Sequence, residues 1–114
     1  MDPIEQDALD QALNQALDRM WAQFLPQMEE RVGLLEAAAV AFSANQLSIS
    51  QHQAANAAAH KLAGVLGTFG LTRGTVLARE LEIMYSREGG PDRSLAARLT
   101  AIAVELRRII ESRK

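Results

Sequence analysis

The chain has 114 residues, a formal net charge of −2 and no cysteine; 48% of it is hydrophobic but only 4% aromatic. That length fits one domain, residues 1–114, with a modest core. The charge balance offers no basic stripe for nucleic acid, and the lack of cysteine excludes a disulfide framework, a thiol nucleophile and a cysteine metal site.

Abundant alanine, leucine, glutamate, glutamine and arginine, with few β-branched residues, favour helices throughout. The first helix is expected to open at Asp2-Pro3, a cap followed by proline at the first helical position. Leu9, Leu13, Leu17, Met20 and Phe24 repeat at helical spacing, with Trp21 alongside. Pro26 cannot donate a backbone hydrogen bond, so a kink or boundary is expected near Phe24-Leu25. The stripe resumes as Met28, Val32, Leu35, Ala39 and Phe42 and fades at Ser43–Gln46. Ser48 with Gln51, or Ser50 with Gln53, is spaced to open a second helix through a capping box, and Gly70 is suited to close it. Thr72 is placed to cap a third helix with Val76, Leu77, Leu81 and Met84 as its apolar positions. Gly89-Gly90-Pro91-Asp92 is a strong turn signal, and Asp92 is a candidate cap for a last helix carrying Leu95, Leu99, Ile102, Leu106 and Ile109. The sum is an all-α antiparallel four-helix bundle with an additional N-terminal helix. No apolar run approaches the roughly 18 residues that span a bilayer, and the polar N-terminus does not resemble a secretory signal. A cytoplasmic protein is the expectation.

One helix face departs from the usual pattern. In the stretch Ala57–Gly70 the apolar stripe contains Ala58, Ala59, Leu62, Val65, Leu66 and Phe69, and His60 lies nearly opposite it. The neighbours of His60 on that outer face are Ala57, Ala63, Gly64 and Gly67, where charged side chains would be usual. Each interior glycine costs roughly 1 kcal/mol relative to alanine. Two of them beside a solvent-facing imidazole read as space kept clear for an approaching partner. His52, eight residues earlier, stands about 12 Å away along the helix, too far to share a metal ion with His60.

His60-Lys61-Leu62-Ala63-Gly64, followed by Gly67 and Gly70, resembles the motif of the histidine phosphotransfer (HPt) domain, found also in the phosphoacceptor domain of chemotaxis histidine kinases. Glu82 stands twenty-two residues after the histidine, where the family carries Gln or Glu on the next helix. The resemblance implies that His60 accepts a phosphoryl group from the aspartate of a response regulator receiver domain, or from a histidine kinase, and passes it to another regulator. It implies that Glu82 orients the imidazole, and that Ala57, Ala63, Gly64 and Gly67 form the docking face. Mg²⁺ is then expected on the partner receiver, with no cofactor intrinsic to this chain, and the carrier is expected to be a monomer and not an autonomous enzyme. One position departs from the family: the usual lysine three residues after the histidine is Ala63. Lys61 and Arg79 are the candidate substitute cations. The alternative reading is a helical docking module that binds a receiver or kinase without being phosphorylated.

Overall fold

The computed structural model describes residues 1–113. Four helices follow one another: α1 (Pro3–Ser43), α2 (Ile49–Thr68), α3 (Thr72–Ser86) and α4 (Ala96–Arg113), with one 3₁₀ turn at Arg93–Leu95 before α4. The caps follow local chemistry. Asp2 accepts from the Glu5 amide with Pro3 behind it, and Ser48 and Gln51 complete the capping box of α2. α1 closes with Asn45 in the left-handed conformation and α2 with Gly70 (φ +71°). Paired amides fold back onto the preceding carbonyls at both ends, Gln46 to Ala41 and Leu71 to Leu66. Thr72 does not cap α3. Leu71 already closes α2, so α3 begins at the next residue, with Leu71 in the cap position and no side-chain cap. Asp92 caps the 3₁₀ turn through the Ser94 amide, one step before α4.

The separate N-terminal helix expected ahead of Pro26 is the first half of α1. The helix continues through the proline because Pro26, and Ala22 whose carbonyl loses its partner, both lie on the solvent face. Water can satisfy that carbonyl, while Trp21 and Met28 hold the two flanking turns to the core. At about 1.5 Å per residue α1 spans the molecule's whole 59 Å length, about twice the reach of α2 or α4. Its early stripe is therefore left partly uncovered: Leu9, Leu13 and Met20 are exposed, whereas Met28, Val32, Leu35, Ala39 and Phe42 are buried.

The core runs between α1, α2, α3 and α4, with Leu62, Leu66, Leu77, Leu81, Leu99, Ile102, Leu106 and Ile110 fully buried. Ile110, not Ile109, fills the last core position of α4, and Val76 faces solvent from α3. Ion pairs between Arg98 and Glu80, Arg73 and Glu105, and Arg107 and Glu36 tie α4 to its neighbours at the surface. Each contributes little alone.

Tyr85 on α3 is buried, and its hydroxyl has no hydrogen-bond partner among the described residues. Burial pushes its phenol up from 10.0 to about 12. As pH climbs through about 10, an unfolded chain releases this proton while the folded chain keeps it, so stability falls between about pH 10 and 12. Tyr85→Phe is expected to be within about 1 kcal/mol of the parent at pH 7, or above it, because it removes an unpaired buried hydroxyl. It should also flatten the alkaline loss. Thermal melts across pH 7–12 check both.

Candidate functional site

α2 and α3 form the tightest pair in the bundle, and side chains reaching across to backbone carbonyls fix their register. Thr75 Oγ1 donates to the Ala63 carbonyl at 3.2 Å, Asn56 Nδ2 donates to the Glu82 carbonyl at 3.0 Å, and a His52 ring nitrogen bonds the Tyr85 carbonyl. Gly74 permits the close approach, because a Cβ there would fall 2.9 Å from Leu66 Cδ1. With the register set, Glu82 of α3 comes level with His60 of α2. His60 Nδ1 lies 2.5 Å from Glu82 Oε2.

The exposures of the two groups differ in a useful way. The imidazole is 71% exposed and the Glu82 side chain 25%. A carboxylate only accepts, so Nδ1 is the nitrogen that carries the proton when the ring is neutral. Nε2 then keeps its lone pair. The ring is held at one nitrogen by a partly shielded acid and presents a nucleophilic nitrogen at the other.

The residues around it divide into three groups. Gly64 is open: a Cβ there would meet nothing within 4 Å. Ala57 and Lys61 lie on the α1 side of the face, lining a shallow groove with Gln27, Glu30, Arg31 and Leu34. Arg79 is exposed one turn before Glu82, and neither it nor Lys61 forms an ion pair among the described residues.

Two expected docking residues change role. Ala63 is only 2% exposed and sits in the core cluster, because three residues from His60 is 60° back around the helix, towards α3. Gly67 stays on the outer face, but a Cβ there would fall 3.3 Å from Thr75 Oγ1, so its smallness also serves the α2–α3 contact. His52 and Asn56 were invisible as interhelix clamps in the sequence. Their polar side chains on an alanine-rich helix were the available signal.

A family model, the Hpt domain, matches residues 19–112. The chain belongs to the Hpt domain family. This Hpt domain is therefore a phosphotransfer module. Protein RcaC of Microchaete diplosiphon is similar, with 41% identity over 66 residues, covering 58% of this chain and 10% of that protein. The chain thus spans about a tenth of that relative's length. No solved structure matches. No helix among the described residues is long and apolar enough to cross a membrane.

Proposed function

We propose that this Hpt domain carries a phosphoryl group on His60 Nε2, taking it from the aspartate of a receiver domain, or from a histidine kinase, and passing it to a second response regulator. The observation that carries the reading is the His60–Glu82 contact, which leaves an exposed imidazole nitrogen free and fixed in direction.

In the transfer, the Nε2 lone pair attacks phosphorus in line with the aspartyl oxygen. The P–Nε2 bond forms, the P–O bond breaks, and its electron pair leaves on the donor carboxylate. The proton stays on Nδ1, where Glu82 offsets the positive charge developing on the ring. The chain's contribution is positioning and electrostatic stabilisation. Mg²⁺ in the receiver's acidic pocket supplies charge neutralisation at the phosphoryl oxygens.

Gly64 and Ala57 let the partner's loops come down onto the histidine, with Lys61 and Arg79 flanking as cations for the phosphoryl charge. Ala63, covered by α3, takes no direct part. Gly64→Lys is expected to fold normally, because the new side chain enters open space, and to slow transfer by steric intrusion. An unchanged rate in a single-turnover assay would refute the cleared face.

Glu82 acts through the ring and is a positioning residue. Glu82→Ala is expected to lower transfer on the order of 10–100-fold, with Glu82→Gln partly restoring it because its amide oxygen still accepts from Nδ1–H. Rescue by glutamine separates orientation from mere packing.

The reading is tested by incubating the protein with Mg²⁺ and a phosphorylated receiver. Acid-labile, alkali-stable phosphate on this chain supports it. Binding without any transfer from receivers or a chemotaxis-type kinase would favour the docking module instead.

A further inference from the structure

The two cations that flank the site are not equivalent. Lys61 lies on the α1 side of the face, in the groove with Glu30 and Arg31. Arg79 belongs to α3, and the contacts between α2 and α3 fix its level. Thr75 bonds the Ala63 carbonyl and Asn56 bonds the Glu82 carbonyl, so α3 from 75 to 82 runs antiparallel to α2 from 63 back to 56. Four residues on from Thr75 and four back from Ala63, Arg79 stands level with Ala59, about 1.5 Å along the axis from His60. One turn on from His60 is Gly64, and one turn back from Glu82 is Arg79. In an antiparallel pair those two steps go the same way, so Arg79 borders the Gly64 side of the imidazole.

The surroundings leave this arginine unused. It is exposed, whereas Leu77, Ala78 and Leu81 beside it on α3 are buried. Arg73 on the same helix is paired with Glu105, but Arg79 forms no ion pair among the described residues. The space over Gly64 is also empty, since a Cβ there would meet nothing within 4 Å. Packed helix axes lie about 8–10 Å apart, a gap that an arginine and an imidazole reaching towards each other can close.

Phosphorylation creates the demand that this cation meets. A phosphoryl group brings roughly two negative charges. They arrive on a ring whose other nitrogen is already held by the Glu82 carboxylate. We infer that Arg79 is the phosphoryl-binding residue of this domain: its guanidinium moves over Gly64 and donates to two oxygens of the phosphoryl group on His60 Nε2. The ion pair links α2 to α3 only in the phosphorylated state. The inference rests on the reading of His60 as the phosphorylated residue. Arg79 makes and breaks no bond to phosphorus. Its planar fork matches two phosphoryl oxygens, which a lysine ammonium does not. The consequence is retention, with phosphate favoured on this chain over the carboxylate of a receiver.

The test loads the whole chain with phosphoramidate, whose P–N bond breaks to release ammonia as the P–Nε2 bond forms, and then adds a receiver with Mg²⁺. On loading, the Arg79 Nε–H signal is expected to shift and its exchange with water to slow. Arg79→Ala is expected to move the phosphoryl equilibrium towards the receiver by about three- to tenfold, a difference that shrinks as sodium chloride is raised. Arg79→Lys should fall between the two. Arg19→Ala removes the same charge from an exposed position on α1 and should leave the equilibrium unchanged. An Arg79→Ala equilibrium equal to the parent's, or a shift matched by Arg19→Ala, would overturn the inference while His60 still loads. A parent that takes no phosphate on His60 would instead remove the phosphotransfer reading, and this inference with it.

Discussion

His60→Gln is expected to abolish phosphate acceptance while leaving the fold and its melting temperature close to the parent's. The two halves of that result have separate causes. The imidazole is 71% exposed and belongs to no part of the core, so its loss removes little packing. Glutamine keeps a polar side chain near Glu82 but has no ring nitrogen with a free lone pair. His52, the second histidine, is engaged with the Tyr85 carbonyl across the α2–α3 interface and does not substitute. The expected loss is at least about three orders of magnitude, the scale found when a nucleophile is removed and binding remains. A variant that binds a phosphorylated receiver as before and still acquires phosphate would remove His60 from the mechanism.

The second large effect is on stability, at the contact that aligns the site. Leu66 is fully buried, and its Cδ1 lies over Gly74 at the contact between α2 and α3. Leu66→Ala is expected to cost about 2–5 kcal/mol, the range for truncating a buried leucine. Gly74→Val alone is expected to cost about 1–3 kcal/mol, because its Cβ enters space that Leu66 fills. The double variant should be less destabilised than the sum, by at least about 1 kcal/mol, since the valine methyls fall into the cavity that the shortened residue leaves. Urea denaturation of the four proteins measures the coupling. Strict additivity would mean that the two side chains do not share this space. The single variants should also slow transfer, because Glu82 moves with α3.

Much of this was readable from residue spacing. The helices and both ends of α2 follow from periodicity and capping residues, whereas the pairing of His60 with Glu82 was implied by the family resemblance. What periodicity could not supply was the identity of each neighbour. Leu9, Leu13 and Met20 mark an apolar face correctly, yet the partner helices are too short to reach it. Ala63 and Gly67 are small residues near the histidine, and smallness alone does not distinguish space left for a partner from space taken by α3. Thr75 decides the matter for both, by bonding the Ala63 carbonyl and by lying where a Gly67 side chain would begin. Pro26 gave the opposite difficulty. Its local penalty is real, but a solvent-facing position and a continuous buried stripe on the far side let the helix continue.

The most direct measurement is long-range ¹H–¹⁵N NMR of the imidazoles before and after phosphorylation by a receiver. The His60–Glu82 geometry predicts a proton on Nδ1 beforehand, and phosphorus coupled to Nε2 afterwards with Nδ1 still protonated. Phosphorus on Nδ1, or on any residue other than His60, would contradict it.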